Sequence, residues 1–188
     1  MIELQYMLLL SRQGKTRMIQ WYDSFTSAEK QIIIKDVTAL VLSRKSKMCN
    51  IIECNLHGST GNTHRVIYKR YASLYFIAGI TTAGSSRDKK NLNQGASAAT
   101  PDEDYVEGDS NELLVLEAIH RYVEALDSYF GNVRELDIIF NFEKAYHIMH
   151  EMFSCNGSIL ESSKNDILSN VAKMDQMESA DNLSTVLS

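Results

Sequence analysis

Residues 64–71 alternate, setting Val66, Tyr68 and Arg70 against Ile67, Lys69 and Tyr71. Only an extended strand sends successive side chains to opposite faces, so this run predicts a half-buried antiparallel strand. Residues 74–80 follow closely and are almost continuously apolar, which places them inside the same sheet. An interior strand needs flanking partners, and the chain offers them. Residues 5–11 and 16–22 are β-rich runs separated by Arg12-Gln13-Gly14-Lys15, a hairpin signal. In the second run Ile19 and Trp21 share a face with Arg17, while Met18 and Gln20 take the other. Residues 50–56 read as a further strand and the polar residues 57–62 as a solvated connection. Five strands with nearest-neighbour connections and one crossover helix make an antiparallel sheet.

That helix begins at Thr26-Ser27-Ala28-Glu29, which has capping-box spacing. Ile33, Val37, Leu40 and Val41 then form its apolar stripe, and Arg44-Lys45-Ser46-Lys47 sets positive charge at its C-terminal end. Residues 82–109 break the pattern: Leu92, Tyr105 and Val106 are their only sizeable apolar residues. Such a segment buries too little surface to offset its ordering entropy and reads as an inserted disordered loop. Beyond it, Asp109 or Ser110 can cap a helix whose stripe is Leu113, Leu116, Ile119, Val123, Leu126 and Phe130, with Gly131 as its C-terminal cap. Residues 136–140 are ambiguous by period, 142–153 are helical in spacing, and 162–177 read as a last helix before a frayed polar end. The organisation is a single domain over residues 1–161, followed by a C-terminal helix and tail over 162–188.

Composition bounds the function. Residues 1–80 carry eleven Lys/Arg against five Asp/Glu, and residues 81–188 carry eight against nineteen, within a net charge of −5. The basic half suits anionic partners, whereas the acidic half argues against general nucleic-acid binding. No stretch approaches the roughly 20 apolar residues of a membrane span. The short apolar run at 7–10 lacks a basic flank and a small-residue cleavage site, so it does not read as a signal peptide. Cys49, Cys54 and Cys155 form no regular framework, as expected of a reduced, intracellular chain.

Catalytic signals are weak. His147-x-x-His150 could place two imidazoles on one helical face, but a metal site needs a third and fourth ligand at matching spacing and the Cys residues offer none. Residues 79–85 have the glycines of a phosphate loop, with Ser85 where its lysine would stand. A strand end is the plainer account. Cys49 and Cys54 lie among apolar residues and read as buried structural thiols. No cofactor is implied.

Several strings act together: SRQGK at 11–15, KMC at 47–49, YKRYASLYF at 68–76, NELL at 111–114, IHRYVE at 119–124 and ELDIIFNF at 135–142. In this order and spacing the chain resembles the sigma (small) chains of clathrin-associated heterotetrameric adaptor complexes, everywhere outside residues 57–63 and 82–109. The strings at 11–15 and 44–49 look like the type-1 complex of the trans-Golgi network and endosomes, and the tail after Met177 looks like fungal members.

The resemblance implies an α+β, longin-like fold: a five-stranded antiparallel sheet flanked by helices, with residues 136–140 helical. It implies a non-enzymatic subunit packed with gamma-type and beta-type large chains and a mu medium chain. Contact with clathrin would be indirect, and residence on membranes peripheral, through the complex. It also implies capture of cargo tails bearing [Asp/Glu]-x-x-x-Leu-[Leu/Ile]. Carried over by position, the leucine pockets would be lined by Ala72, Leu74, Val123, Val133, Leu136 and Ile138, with Asn132 beside them. Arg17, and secondarily Arg12, would meet the acidic residue. Two departures stand out: Ser46 where proline is usual and Arg134 where cysteine is usual. Other readings are the same fold in a plasma-membrane adaptor or coatomer zeta-type chain, or an enzyme using Cys49 or the His147/His150 pair.

Overall fold

A computed structural model describes residues 3–45, 47–54, 63–82 and 109–186. Ser46 and most of the 57–63 and 82–109 insertions lie outside the described residues. Strands β1 (Leu4–Ser11), β2 (Thr16–Trp21), β3 (Ile51–Cys54), β4 (Thr63–Tyr71) and β5 (Leu74–Thr82) form an antiparallel sheet in the order β2-β1-β5-β4-β3. The expected interior run is the central strand. The three hairpins join sequence neighbours, but β1 pairs with β5 across most of the sheet-forming sequence. That closure is non-local, and sequence adjacency does not disclose it. Helix α1 (Ser27–Ser43) crosses from one sheet edge to the other.

Both faces of the sheet are covered. Ile33, Val37 and Val41 of α1 pack with Tyr6, Leu8, Leu10, Val66, Tyr68 and Ile77 on one face. On the other lie α2 (Asp109–Phe130), α3 (Glu135–Phe140), α4 (Phe142–Met152) and α5 (Lys164–Val186), over Met7, Leu9, Ile67, Phe76 and Ala78. The half-buried reading of 64–71 is therefore corrected: Val66 and Ile67 are both fully buried, because a helical layer shields each side.

Thr26 and Glu29 form the expected capping box, with Glu29 Oε2 accepting from the Thr26 amide at 2.8 Å and Thr26 Oγ1 accepting from the Glu29 amide at 3.3 Å. Gly131 adopts φ +65° and its amide donates to the Asp127 carbonyl, the left-handed cap that ends α2. The stripe of α2 differs from expectation at its start. Val115, Ile119, Tyr122, Val123 and Leu126 are buried, whereas Leu113 is 65% exposed. Helix α5 runs to Val186, past the expected end near Met177, and Ile167 and Val171 anchor it in the larger core. Cys49 is exposed, because it precedes β3 instead of lying in it, and Cys54 is only half-buried. His147 is half-buried and His150 exposed on α4.

His64 is buried in β4, its Nε2 within 3.1 Å of the Tyr6 hydroxyl. Burial disfavours the imidazolium and pulls the His64 pKa down to about 4. Because the folded value lies below the unfolded one, its stabilising contribution is complete above about pH 6.5 and is lost as pH falls toward about 4. The loss amounts to at most about 3 kcal/mol. Urea-unfolding midpoints should fall across that window and stay flatter in His64→Gln, which keeps a polar partner for Tyr6 without titrating. Identical acid slopes in the two proteins would refute the assignment.

Candidate functional site

The two-residue turn between β4 and β5 consists of Ala72 and Ser73, and Ala72 takes the left-handed φ of +50° that such tight hairpins require. Directly above this turn, α2 presents His120, Val123, Glu124 and Asp127, successive members of one helical side. Beyond the Gly131 cap the chain doubles back through Asn132, which also has positive φ (+70°), and brings Val133, Arg134 and Glu135 to the same place. The Val133 amide donates to Asp127 Oδ1 at 3.0 Å, which pins the returning segment to α2.

These three pieces enclose a cleft of about 420 Å³, within the roughly 300–1,000 Å³ of small-ligand sites. Its apolar wall comes from Ala72, Leu74, Phe76, Val123 and Val133. Tyr71 and His120 line one side, their rings stacked at 6.2 Å with the Tyr71 hydroxyl 3.0 Å from His120 Nδ1. Arg134 is exposed at the mouth beside Glu135, so the residue in the usual cysteine position brings a cation to the rim.

Of the residues carried over by position, Ala72, Leu74, Val123 and Val133 meet in the cleft. Three do not line it. Ile138 is fully buried in the core under α3, Leu136 is 60% exposed, and Asn132 is exposed at the bend. Tyr71, Phe76, His120 and Glu135 belong to the lining without having been expected there. Helical spacing places His120 one turn from Val123 and Glu124, the signal that finds it.

Arg17 sits just outside the cleft, and its position has a specific cause. Leu9 pairs with Met18 but Leu10 pairs with Thr16, so Arg17 is the extra residue of a β-bulge. A bulge re-aims one side chain, and the expectation that Arg17 shares the face of Ile19 and Trp21 is corrected accordingly. Arg17 reaches instead to α3, where its Nε donates to Glu135 Oε1 at 2.8 Å and its Nη2 forms an ion pair with the same oxygen at 2.6 Å. Because Glu135 also lines the cleft, the ion pair borders the apolar wall. Arg12 is exposed on the β1–β2 turn. The edge strand carrying Arg17 is closed by Tyr146 of α4, whose hydroxyl donates to the Ile19 carbonyl at 2.8 Å.

The insertion leaves and re-enters away from the cleft. Strand β5 ends at Thr82, paired with Thr63, and the first turn of α2 is fixed by Glu112 to Arg65, next to Ile80. Both anchor points therefore lie at the opposite end of the sheet from Ala72.

The model of the clathrin adaptor complex small chain family matches residues 3–89 and 105–178. The AP-1 complex subunit sigma-1 of Saccharomyces cerevisiae is 52% identical over 188 residues, the whole of both chains. The AP-1 complex subunit sigma-1A of Homo sapiens is 40% identical, covering 95% of this chain and 91% of its own length. Among structures, a chain of a homology model of the full-length AP-3 complex in a stretched open conformation superposes with a TM-score of 0.61. At 22% identity over 97% of this chain and 98% of that one, the likeness concerns the fold. With a family model spanning most of its length and full-length relatives of this identity, the chain belongs to the clathrin adaptor complex small chain family.

Proposed function

We propose that this chain is the sigma subunit of an AP-1 clathrin adaptor. It stabilises the complex core and captures acidic dileucine signals of membrane cargo moving between the trans-Golgi network and endosomes. Its work is binding, without catalysis. The observation that carries the cargo reading is the apolar cleft of Leu74, Val123 and Val133 bordered by the Arg17–Glu135 pair. Adjacent leucines require neighbouring apolar walls, and each buried one contributes about 1.5–3 kcal/mol before ordering costs. Immobilising an extended tail consumes much of that gain, which suits a coat that must release its cargo.

Gamma-type and beta-type large chains and a mu chain are the partners of this reading. Leu136 and Phe140 stand one turn apart on α3, Phe142 opens α4, and all three are exposed, with Phe140 at 77%. Such apolar residues are suited to burial against a large subunit. In this reading Leu136, with Asn132, frames the outer rim of the leucine site, and Ile138 supports it from the core. The subunit reaches trans-Golgi, endosomal and coated-vesicle membranes peripherally, through its complex. No helix among the described residues is long and apolar enough to cross a membrane.

Glu135 holds the Arg17 guanidinium in the free protein, so a cargo carboxylate must share or displace it. Arg17→Ala should weaken binding of a dileucine peptide by up to about fivefold, the value of a partly exposed ion pair, and flatten its salt dependence. Glu135→Gln should strengthen binding by a similar factor, but only for peptides that carry the acidic residue. Fluorescence anisotropy with the assembled complex provides the readout. If neither variant distinguishes acidic from alanine-substituted peptides, Arg17 is not the acidic-residue contact.

A further inference from the structure

Strand direction gathers positive charge at one end of the molecule. Strand β1 ends where β5 begins, since Ser11 pairs with Leu74, and β4 ends at the same level, since Tyr71 pairs with Leu74. The residues leading into β3 belong there too: the Asn50 carbonyl accepts from the Tyr68 amide at 2.9 Å. Three connections therefore share this end of the sheet. They are the β1–β2 turn, the α1–β3 connection and the β4–β5 turn. The first also lies against the end of α1, since a Cβ at Gly14 would meet the Thr38 and Leu42 side chains in the last turns of that helix.

The first two connections expose Arg12, Lys15, Lys45 and Lys47, and the end of β4 exposes Arg70. Among the described residues none of the five makes an ion pair. Met48, 49% exposed, stands among them. The acidic residues that line the cleft at this end, Glu124, Asp127 and Glu135, lie on the helical side, and Glu135 is already engaged by Arg17. The opposite end of the sheet is where the acidic half of the sequence enters α2.

We propose that this basic sheet end is a lipid-contact surface that docks on anionic phospholipid headgroups. The cations are spread over two separate connections and the end of β4 instead of lining one groove, an arrangement that fits a planar array of charges better than a single acidic peptide. An exposed methionine among lysines adds apolar contact at the headgroup boundary. The cleft opens at this same end, with Ala72 on the shared β4–β5 turn. Docking there would hold the cleft beside the bilayer from which cargo tails emerge. The orientation argument rests on the cargo reading, whereas the charge argument does not.

Cargo-free phosphatidylcholine vesicles, with and without phosphatidylserine, provide the test by co-sedimentation with the assembled complex. Each cation near an anionic surface is worth about fivefold in binding. A Lys15→Ala/Lys45→Ala/Lys47→Ala complex should therefore bind phosphatidylserine vesicles on the order of a hundredfold more weakly than wild type. The corresponding lysine-to-arginine variant should bind as wild type does. Binding should fall with added salt, and thermal unfolding should be unchanged, because the three side chains are exposed.

Equal sedimentation of wild type and the alanine variant would overturn the proposal. So would phosphatidylserine-independent binding, or an effect of the alanine variant on an acidic peptide but not on vesicles. Val123→Asp separates the two readings: it should abolish peptide capture and leave vesicle binding intact. Loss of the lysine effect with peptide capture preserved would remove the lipid surface alone. Loss of peptide capture specificity with the lysine effect preserved would remove the cargo site alone.

Discussion

Gly79→Ala should cost about 3 kcal/mol or more, a large part of the roughly 5–15 kcal/mol that holds a domain together. The Tyr6 ring lies directly across Gly79: a Cβ added there would sit 2.3 Å from both Cε1 and Cζ. Tyr6 is fully buried and cannot swing away into solvent. Its ring spans the central strand to reach β4, where it stacks on His64 with centroids 5.6 Å apart and its hydroxyl meets Nε2. Pushing the ring aside would leave two buried polar groups without partners, and that penalty adds to the overpacking. Chemical denaturation should show a sharply lowered midpoint. In a Tyr6→Ala background the same glycine substitution should cost much less, since the clash is gone. Additive effects of the two substitutions would show that Gly79 acts through something other than the tyrosine.

That contact also marks where reading the sequence stops. Glycine at 79 has the look of a phosphate loop or a strand end, and nothing local says that a tyrosine 73 positions earlier lies on it. Periodicity identifies strands and the stripe of α1 well, because burial on one face acts over a few residues. It fails where a distant element decides the outcome. The second covered face buries Val66 and Ile67 together, and one inserted residue turns Arg17 from one face to the other. Residues 136–140 are ambiguous by period for a different reason: a six-residue helix has too few turns to display one. The cleft is the extreme case. Ala72, Val123 and Val133 meet only through the fold. Their grouping comes from the family resemblance, and from residues alone each would pass as core.

Val123→Asp should abolish dileucine-peptide binding while the chain still assembles with its partners. Val123 forms part of the cleft wall and is 8% exposed. A carboxylate there removes apolar contact worth about 1.5–3 kcal/mol for a captured leucine. It must also be desolvated when the leucine arrives. The neighbouring lining residues Glu124 and Asp127 are themselves acidic, so the new charge is repelled by its surroundings. Together these terms exceed about 3 kcal/mol, a loss of more than a hundredfold in affinity. In the unliganded protein the same carboxylate can be hydrated through the cleft, which is why folding and assembly should survive. Val123→Ala, which trims the wall without adding charge, should cost only about tenfold. Isothermal titration of the assembled variants measures both effects. An assembled Val123→Asp complex with wild-type peptide affinity would place the leucine site elsewhere, and a variant that fails to assemble would show that Val123 serves the fold rather than the ligand.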